Sequence, residues 1–135
     1  MLLAAGLLLL GCGGGGDKAT LLTFAGSYYG HTRGLHIARD GRAREVINDG
    51  CCYLVIGLRF RVSRPRGTPR DAAATVTVTR VRLGERARSM WPKALPIPRV
   101  GDSGTLRFRR GIIIDSLTGT KYCDPTRGGD GKCGA

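Results

Sequence analysis

Three pairs of arginines carry the clearest chemical signal in the sequence. One residue separates the members of each pair, which are Arg59 and Arg61, Arg80 and Arg82, and Arg107 and Arg109. Side chains at positions i and i+2 of a β-strand point to the same face, so each pair predicts a basic strand face. A guanidinium group donates two parallel hydrogen bonds to a phosphate or a carboxylate. If the strands adjoin, the six side chains form one anion-binding surface. The alternative is an ordinary solvated face.

The whole chain is basic, which bears on its partners. Its 135 residues include 22 Lys and Arg against 10 Asp and Glu, a formal net charge of +12. Such a charge suggests nucleic acid as a partner. However, few aromatic residues lie among the basic ones, where a single strand would need them for stacking. We expect no nucleic-acid partner, and we expect contact with anionic lipid or wall polymer instead.

Two histidines are the only imidazole groups available for chemistry. His31 and His36 have opposite parity on a regular strand, and zinc catalysis needs three protein ligands. The nearest carboxylates, Asp40 and Glu45, lie across a predicted hairpin. We therefore expect no metal site and no cofactor. An exposed histidine and arginine together suit contact with an anion, so His31 and Arg33 are added to the candidate anion-binding residues.

The Gly-Asp-Ser-Gly segment at residues 101–104 is similar to the nucleophile loop of chymotrypsin-like serine proteases. That reaction needs a histidine base and a fold of two barrels, for which this chain is too short. We expect Ser103 to lie in a polar turn before a strand. Only two glutamates, Glu45 and Glu85, are present, and no acidic pair for glycoside hydrolysis is identified. The sequence predicts no catalytic residues and no enzyme.

The amino terminus has the pattern of a lipoprotein signal. Leu2 to Leu10 is uncharged and apolar or small, long enough for a secretory signal and too short to span a bilayer. Gly11 then precedes Cys12, the order cut by the lipoprotein signal peptidase before the thiol receives diacylglycerol. The alternative is a buried apolar helix with an ordinary cysteine. A basic residue normally opens such a signal, and its absence predicts a truncated start.

This pattern divides the chain into three parts. We expect a signal peptide over 1–11, a lipidated cysteine and Gly-rich tether over 12–19, and a single domain over 20–135. The domain would then lie on the extracytoplasmic face of the cell membrane, held by its lipid anchor.

The other four of the five cysteines are expected to form disulfides, as an even number in an exported chain indicates. They are Cys51, Cys52, Cys123 and Cys133. A bond between adjacent cysteines strains the peptide, and neighbours on a strand face opposite sides. We therefore expect Cys51 and Cys52 each to bond one cysteine of the tail. A zinc site is the rival, but its usual spacing is absent.

Strand patterns separated by turns predict an all-β fold, a small antiparallel barrel or sandwich of seven to eight strands braced by disulfides. Sequential hairpins favour an up-and-down meander. The segment Arg64–Arg70 is predicted to be a loop because it contains Pro65, Gly67 and Pro69. Trp91–Val100 contains three prolines and is not expected to be a regular interior strand. A bulge near Thr79–Arg80 would put Val76 and Val78 on the side of Val81 and Leu83. The predicted strands are Thr20–Tyr29, Gly34–Arg39 and Arg42–Asn48 around an Asp40-Gly41 turn, Tyr53–Ser63, Ala72–Leu83, Thr105–Arg109, Ile112–Asp115 and Thr118–Cys123.

Several segments resemble a group of actinobacterial secreted lipoproteins with no established activity. They are Phe24–Ile37, which contains Gly-His-Thr-Arg-Gly-Leu, the Asp-Gly-Cys-Cys of residues 49–52, Ser63–Thr68, and Leu117–Cys123. The resemblance runs from about residue 23 to the end, with tyrosines at 28 and 29 where we expect a tryptophan in relatives. It implies lipidation, export and paired cysteines, and it implies no mechanism.

Together these features predict a non-enzymatic, lipid-anchored envelope protein that binds an anionic envelope component or a protein partner. One alternative is an inhibitor of a secreted hydrolase, which would present segment 64–70 or 92–99 as a preorganised loop. Another is a calycin-like carrier with a small ligand in an internal cavity.

Overall fold

The structure is a computed structural model that describes residues 16–50, 52–127 and 133. Each strand pairs antiparallel with the next, and the first pairs with the last, so the chain forms a closed up-and-down barrel. The predicted all-β fold is confirmed. The strands are β1 (Gly26–Gly30), β2 (Arg33–Ile37), β3 (Arg42–Asp49), β4 (Tyr53–Gly67), β5 (Asp71–Leu83), β6 (Ser103–Arg109), β7 (Ile112–Asp115) and β8 (Thr120–Cys123).

The helical elements are short. They are α1 (Leu21–Phe24), α2 (Ala87–Met90) and a 3-10 helix (Pro125–Arg127). Over the described residues, helices of the length and hydropathy required to cross a membrane are not found. The expected signal peptide and Cys12 lie outside the described residues.

Alternating side chains fill the barrel, as the period of two in the sequence predicts. On β4, Leu58, Phe60 and Val62 are buried, whereas Arg59 and Arg61 are exposed. Strand geometry sends successive side chains to opposite faces, so a closed sheet has one apolar inside and one polar outside. The largest buried side chains include Phe24, Tyr28, Phe60 and Tyr122.

The first predicted strand is wrong over its first half, because Leu21–Phe24 forms α1. The Thr20 N–H donates to Thr23 Oγ1 at 3.0 Å, which starts the helical turn. Phe24 is then fully buried at one end of the barrel, edge-on to Phe108 with ring centroids 6.3 Å apart. The turn therefore forms because it puts a large ring into an opening of the barrel.

The opposite end of the barrel is covered by the segment that joins β5 to β6. Trp91 is buried, and its indole N–H donates to the Leu95 carbonyl at 2.8 Å. Leu95 also lies against residue 119 in the turn before β8. The expected irregular conformation of the Trp91–Val100 segment is confirmed, and its function in the fold is to cover this end.

β4 continues through the segment predicted as a loop. It runs to Gly67, and only residues 68–70 form the turn into β5. The strand accommodates Pro65 at an irregularity between Ser63 and Arg66, where Arg64 has a φ of 50°. Proline is tolerated within a sheet at such a bulge, because no ladder hydrogen bond is required there. The predicted loop over 64–67 is wrong for this reason.

The predicted bulge in β5 is confirmed. The register passes from Arg59 opposite Arg80 to Phe60 opposite Val78, so Thr79 is an extra residue. An extra residue reverses the parity of the strand beyond it. Val81 therefore lies opposite the inward-facing Leu58.

The hairpin around Asp40-Gly41 is confirmed, but the turn is longer than two residues. The Gly41 N–H donates to the Ala38 carbonyl at 3.0 Å, and Gly41 has a positive φ of 88°. The Asp40 carboxylate accepts the Arg42 backbone N–H at 3.0 Å, so the side chain closes the turn.

The expected disulfide pairing is wrong. Cys123 bonds to Cys133, with the two Cα atoms 5.7 Å apart. Cys52 is also disulfide-bonded, and its partner lies outside the described residues, as does Cys51. In an up-and-down barrel the turn that carries Cys52 and the end of β8 lie at opposite ends. Cys123 thus bonds within the tail because the length of a strand separates it from Cys52.

Candidate anion-binding face

A row of basic side chains crosses the outer face of four neighbouring strands. His36 lies opposite Arg44, Arg44 opposite Arg59, and Arg59 opposite Arg80. All four side chains are exposed. Directly opposite residues have Cβ atoms about 4.5–5.5 Å apart. We call His36, Arg44, Arg59 and Arg80 the basic row.

Three further arginines flank the basic row. Arg42 and Arg61 lie opposite each other on one side, and Arg82 lies opposite Gly57 on the other. Four of the six arginines predicted from the sequence thus come together, and Arg42 and Arg44 join them from β3. Arg42 and Arg44 were not among the predicted residues, although they have the same spacing as the other pairs.

In the part of the chain that the structure describes, no carboxylate pairs with an arginine of the basic row. Among the described residues, the ion pairs are Arg42 with Asp40 at 2.9 Å, Arg86 with Asp49 at 3.4 Å and Arg107 with Asp71 at 3.6 Å. None of these includes Arg44, Arg59 or Arg80. Like charges directly opposite each other destabilise a sheet. A bound anion would relieve this repulsion.

Arg107 and Arg109 lie away from the basic row, so the expectation of a single six-arginine surface is wrong. β6 does adjoin β5, but its register puts Arg107 opposite Ala73 and Arg109 opposite Asp71, at the far end of β5 from Arg80. Asp71 also forms the ion pair with Arg107. The register between two long strands, which depends on tertiary pairing, therefore separates these two arginines from the other four.

The remaining candidates, His31 and Arg33, lie at the turn between β1 and β2. The Arg33 guanidinium donates to the Lys121 carbonyl through Nε at 3.1 Å and Nη2 at 2.9 Å. It also lies over the Tyr122 ring, 5.7 Å from its centroid. Arg33 therefore holds β2 against β8 and has few donors left for an anion. His31 is exposed and outside the basic row.

A shallow trough runs beside the basic row. In register from β1 to β5, its positions are Tyr29, Gly34, Val46, Gly57 and Arg82. Two adjoining grooves, of about 380 and 310 Å³, share Arg44 and Val46 in their linings. We call this continuous depression the trough. Its long axis crosses the strands, parallel to the basic row.

A buried acid cluster is the feature that the sequence analysis missed. Glu45 is fully buried, and its Oε1 accepts hydrogen bonds from the hydroxyls of Thr118 at 2.8 Å, Thr120 at 2.9 Å and Tyr122 at 2.5 Å. Burial, and then the hydrogen bond and charge of Glu45, raise the pKa of Asp115 far above its usual value. A raised pKa favours the protonated carboxyl group, which can donate its proton to Glu45.

This interior acid pair was not among the predictions from the sequence, which concerned only a pair for glycoside hydrolysis. Glu45 follows the inward parity of Ala43, and Asp115 follows that of Ile113, so strand parity was the signal available. Both carboxyl groups are sealed from solvent. The cluster therefore acts on the stability of the barrel and offers no surface to a substrate.

A turn at Val100 and Gly101 leads into β6, and Ser103, expected in the turn, is the first residue of that strand. The Asp102 carboxylate accepts the Arg99 backbone N–H at 2.8 Å, and the Ser103 hydroxyl lies 3.5 Å from that of Thr77. In the described part of the chain no histidine hydrogen-bonds to Ser103. Across residues 16–50, 52–127 and 133, no three His, Cys, Asp or Glu side chains converge as metal ligands would.

Comparisons of the chain with protein-family models, with curated proteins and with solved structures give no match. What the protein can bind is therefore judged from the geometry of its basic face.

Proposed function

We propose that this protein is a lipid-anchored, non-enzymatic envelope protein whose β3–β5 face binds an anionic polymer outside the cell membrane. The observation that carries the proposal is the basic row, in which Arg44, Arg59 and Arg80 lie directly opposite one another without a carboxylate partner in the described chain. A sheet that retains this repulsion is suited to a ligand that supplies the missing negative charge.

The chemistry of the row supports phosphate or carboxylate as the bound group. Each guanidinium has five N–H donors in a planar fork, and the forks on adjacent strands are close enough to share one anion. Exposed single ion pairs contribute little, so the affinity must come from several contacts made together. A polymer, with many charges on one chain, supplies such contacts at a high effective concentration.

The location is supported by two independent features. The Cys123–Cys133 disulfide and the bonded Cys52 are typical of an oxidising compartment outside the cytoplasm. The apolar run that ends at Gly11 and Cys12 is typical of a lipoprotein signal.

The alternatives have less support. Within the described residues the barrel is filled by side chains such as Phe60 and Tyr122, which argues against a carrier. Of the two loops considered for an inhibitor, residues 64–67 belong to β4, and the 92–99 segment includes the buried Pro98.

The double variant R59Q/R80Q tests the proposal. We expect at least about a tenfold loss of affinity for a synthetic glycerol phosphate oligomer, about 1.4 kcal/mol, because two central guanidiniums are removed. Affinity of the wild type should also fall as salt rises, because salt screens exposed charges. Isothermal titration calorimetry over a series of NaCl concentrations measures both effects.

The matched control is R107Q/R109Q, which removes the same charge from the far end of the sheet. It should bind the oligomer almost as the wild type does. Equal losses in the two variants would show that only net charge matters, and the proposed binding face would be wrong.

The lipid anchor predicts that Cys12 carries fatty acid. In cells that express the full chain and grow with labelled palmitate, the protein recovered from the membrane fraction should carry the label. A C12S variant should carry none. A labelled C12S protein, or an unlabelled wild type, would contradict the anchor.

A further inference from the structure

The floor of the trough is formed by residues with little or no side chain. Gly34 and Gly57 face outward within β2 and β4, with Val46 between them on β3. Glycine weakens a strand, because its backbone loses more conformational entropy on folding and it has no side chain to pack against its neighbours. Neither glycine has a positive φ, so the backbone does not require them.

The space above these glycines is open. A Cβ at Gly57 would meet only Arg82 Cβ at 3.8 Å and Leu54 Cδ1 at 3.9 Å, and a Cβ at Gly34 would meet only the Tyr28 carbonyl at 4.0 Å. These are ordinary van der Waals contacts, so a Cβ fits at both positions without displacing a neighbour. Glycine within a strand marks a bulge, a bend, or the close approach of a ligand or another backbone. The register is regular at Gly34 and Gly57, which leaves close approach as the reason.

The two ends and one wall of the trough have different chemistry. The Tyr29 ring, 60% exposed, lies at the β1 end, and Arg82 lies at the β5 end. The basic row forms a continuous wall along one side. At about 4.8 Å between strands, five strands give a length of about 19 Å. The trough is therefore long, narrow and cationic along one edge.

We infer that the trough holds one linear chain of phosphodiester-linked polyol units, laid across the strands. This inference rests on the proposed function and names its ligand. The two non-bridging oxygens of each phosphodiester diverge, so one phosphate contacts guanidiniums on two adjacent strands of the basic row. The carbon skeleton between phosphates lies over Gly34 and Gly57, and the Tyr29 ring gives it apolar contact area.

A recessed floor favours a single chain over a bilayer surface. A planar array of lipid headgroups would meet the exposed arginine ends and leave the floor at Gly57 untouched. A chain narrow enough to enter the trough also contacts the floor. A larger uncharged side chain at the floor therefore distinguishes the polymer chain from the bilayer. It blocks entry into the trough but leaves the charge of the face unchanged.

The test compares the variants G34V and G57V with the wild type. The probe is a synthetic glycerol phosphate oligomer long enough to cross five strands, with glycerol 3-phosphate and phosphatidylglycerol–phosphatidylcholine vesicles as separate arms. We expect each valine to reduce oligomer affinity at least about tenfold. Binding of the monomer, which needs only the guanidiniums, should stay within about twofold.

The control is A73V, which adds methyl groups on the outer face of β5 away from the trough. It should bind every probe as the wild type does, and circular dichroism melting should show all three valine variants folded, since valine favours strands. G34A and G57A, which add one methyl group, provide a second pair if a valine variant does not fold.

The outcomes separate the inference from the proposed function. If R59Q/R80Q loses oligomer binding while G34V and G57V retain it, the face binds anions but the trough is not the site, and the inference is overturned. Tighter binding to vesicles than to the oligomer, unchanged by G57V, would overturn it in favour of the membrane. Loss of oligomer binding in all three variants, with monomer binding lost only in R59Q/R80Q, supports both.

Discussion

Replacing Asp115 with asparagine should make the protein more stable at pH 8 and should flatten the dependence of its stability on pH. The pKa of Asp115 is raised to about 9, by burial first and then by the hydrogen bond and charge of Glu45. The folded state therefore keeps a proton that the unfolded chain releases near pH 4. Between these two values stability falls as pH rises, by about 1.4 kcal/mol for each pH unit.

Asparagine reproduces the protonated acid without needing a proton. Its amide oxygen can accept the Leu117 backbone N–H, which Asp115 Oδ1 accepts at 2.9 Å, and its NH₂ group can donate to Glu45. Below pH 4 the variant and the wild type should be almost equally stable. At pH 8 the variant should be more stable by several kcal/mol, as the slope indicates.

Urea unfolding at a series of pH values, followed by tryptophan fluorescence, measures this difference. The control is D71N, since Asp71 is exposed and its ion pair with Arg107 is at the surface. That variant should change stability by less than about 1 kcal/mol at any pH. A D115N protein that keeps the wild-type pH slope would show that Asp115 is ionised in the barrel.

The variant F24A should lose about 3–5 kcal/mol of unfolding free energy, because it leaves a cavity at the end of the barrel that α1 closes. Phe24 is 0% exposed and packs against Phe108. The Tyr28 hydroxyl also donates to the backbone carbonyl of Phe24 at 2.8 Å, a contact that F24A leaves in place, so the expected loss comes from the ring alone.

The matched control is L22A, in the same helical turn, because Leu22 is 59% exposed. It should cost less than about 0.5 kcal/mol. Urea unfolding of both variants at one pH provides the comparison. If F24A and L22A destabilise the barrel equally, α1 does not close its end.

Local patterns were enough to predict most strands and one of their irregularities. Val78 and Val81 are both apolar but an odd number of residues apart, which breaks the alternation of the strand and predicted a bulge between them. The register confirms this bulge at Thr79. A phase break is visible within one strand, because inward and outward positions alternate with a period of two. The turn residues around Asp40 and Gly41 similarly predicted a hairpin.

Features that depend on the other end of the chain were not predicted correctly. Leu21–Phe24 has strand-like residue types, and burial of Phe24 in the open end of a barrel made from distant strands favours its helical turn. Cys123 and Cys133 bond each other because the barrel places Cys52 at the opposite end. Glu45 and Asp115 meet because β3 and β7 face each other across the interior.

The sequence by itself determined the strand faces, the turns and the basic charge, because each depends on neighbours a few residues away. Only the tertiary structure decided which of those faces share a surface. Arg59 and Arg80 are opposite each other, whereas Arg107 is separated from them by the register of β5 with β6. The pairing of long strands is a non-local choice, set by the packing of the whole interior.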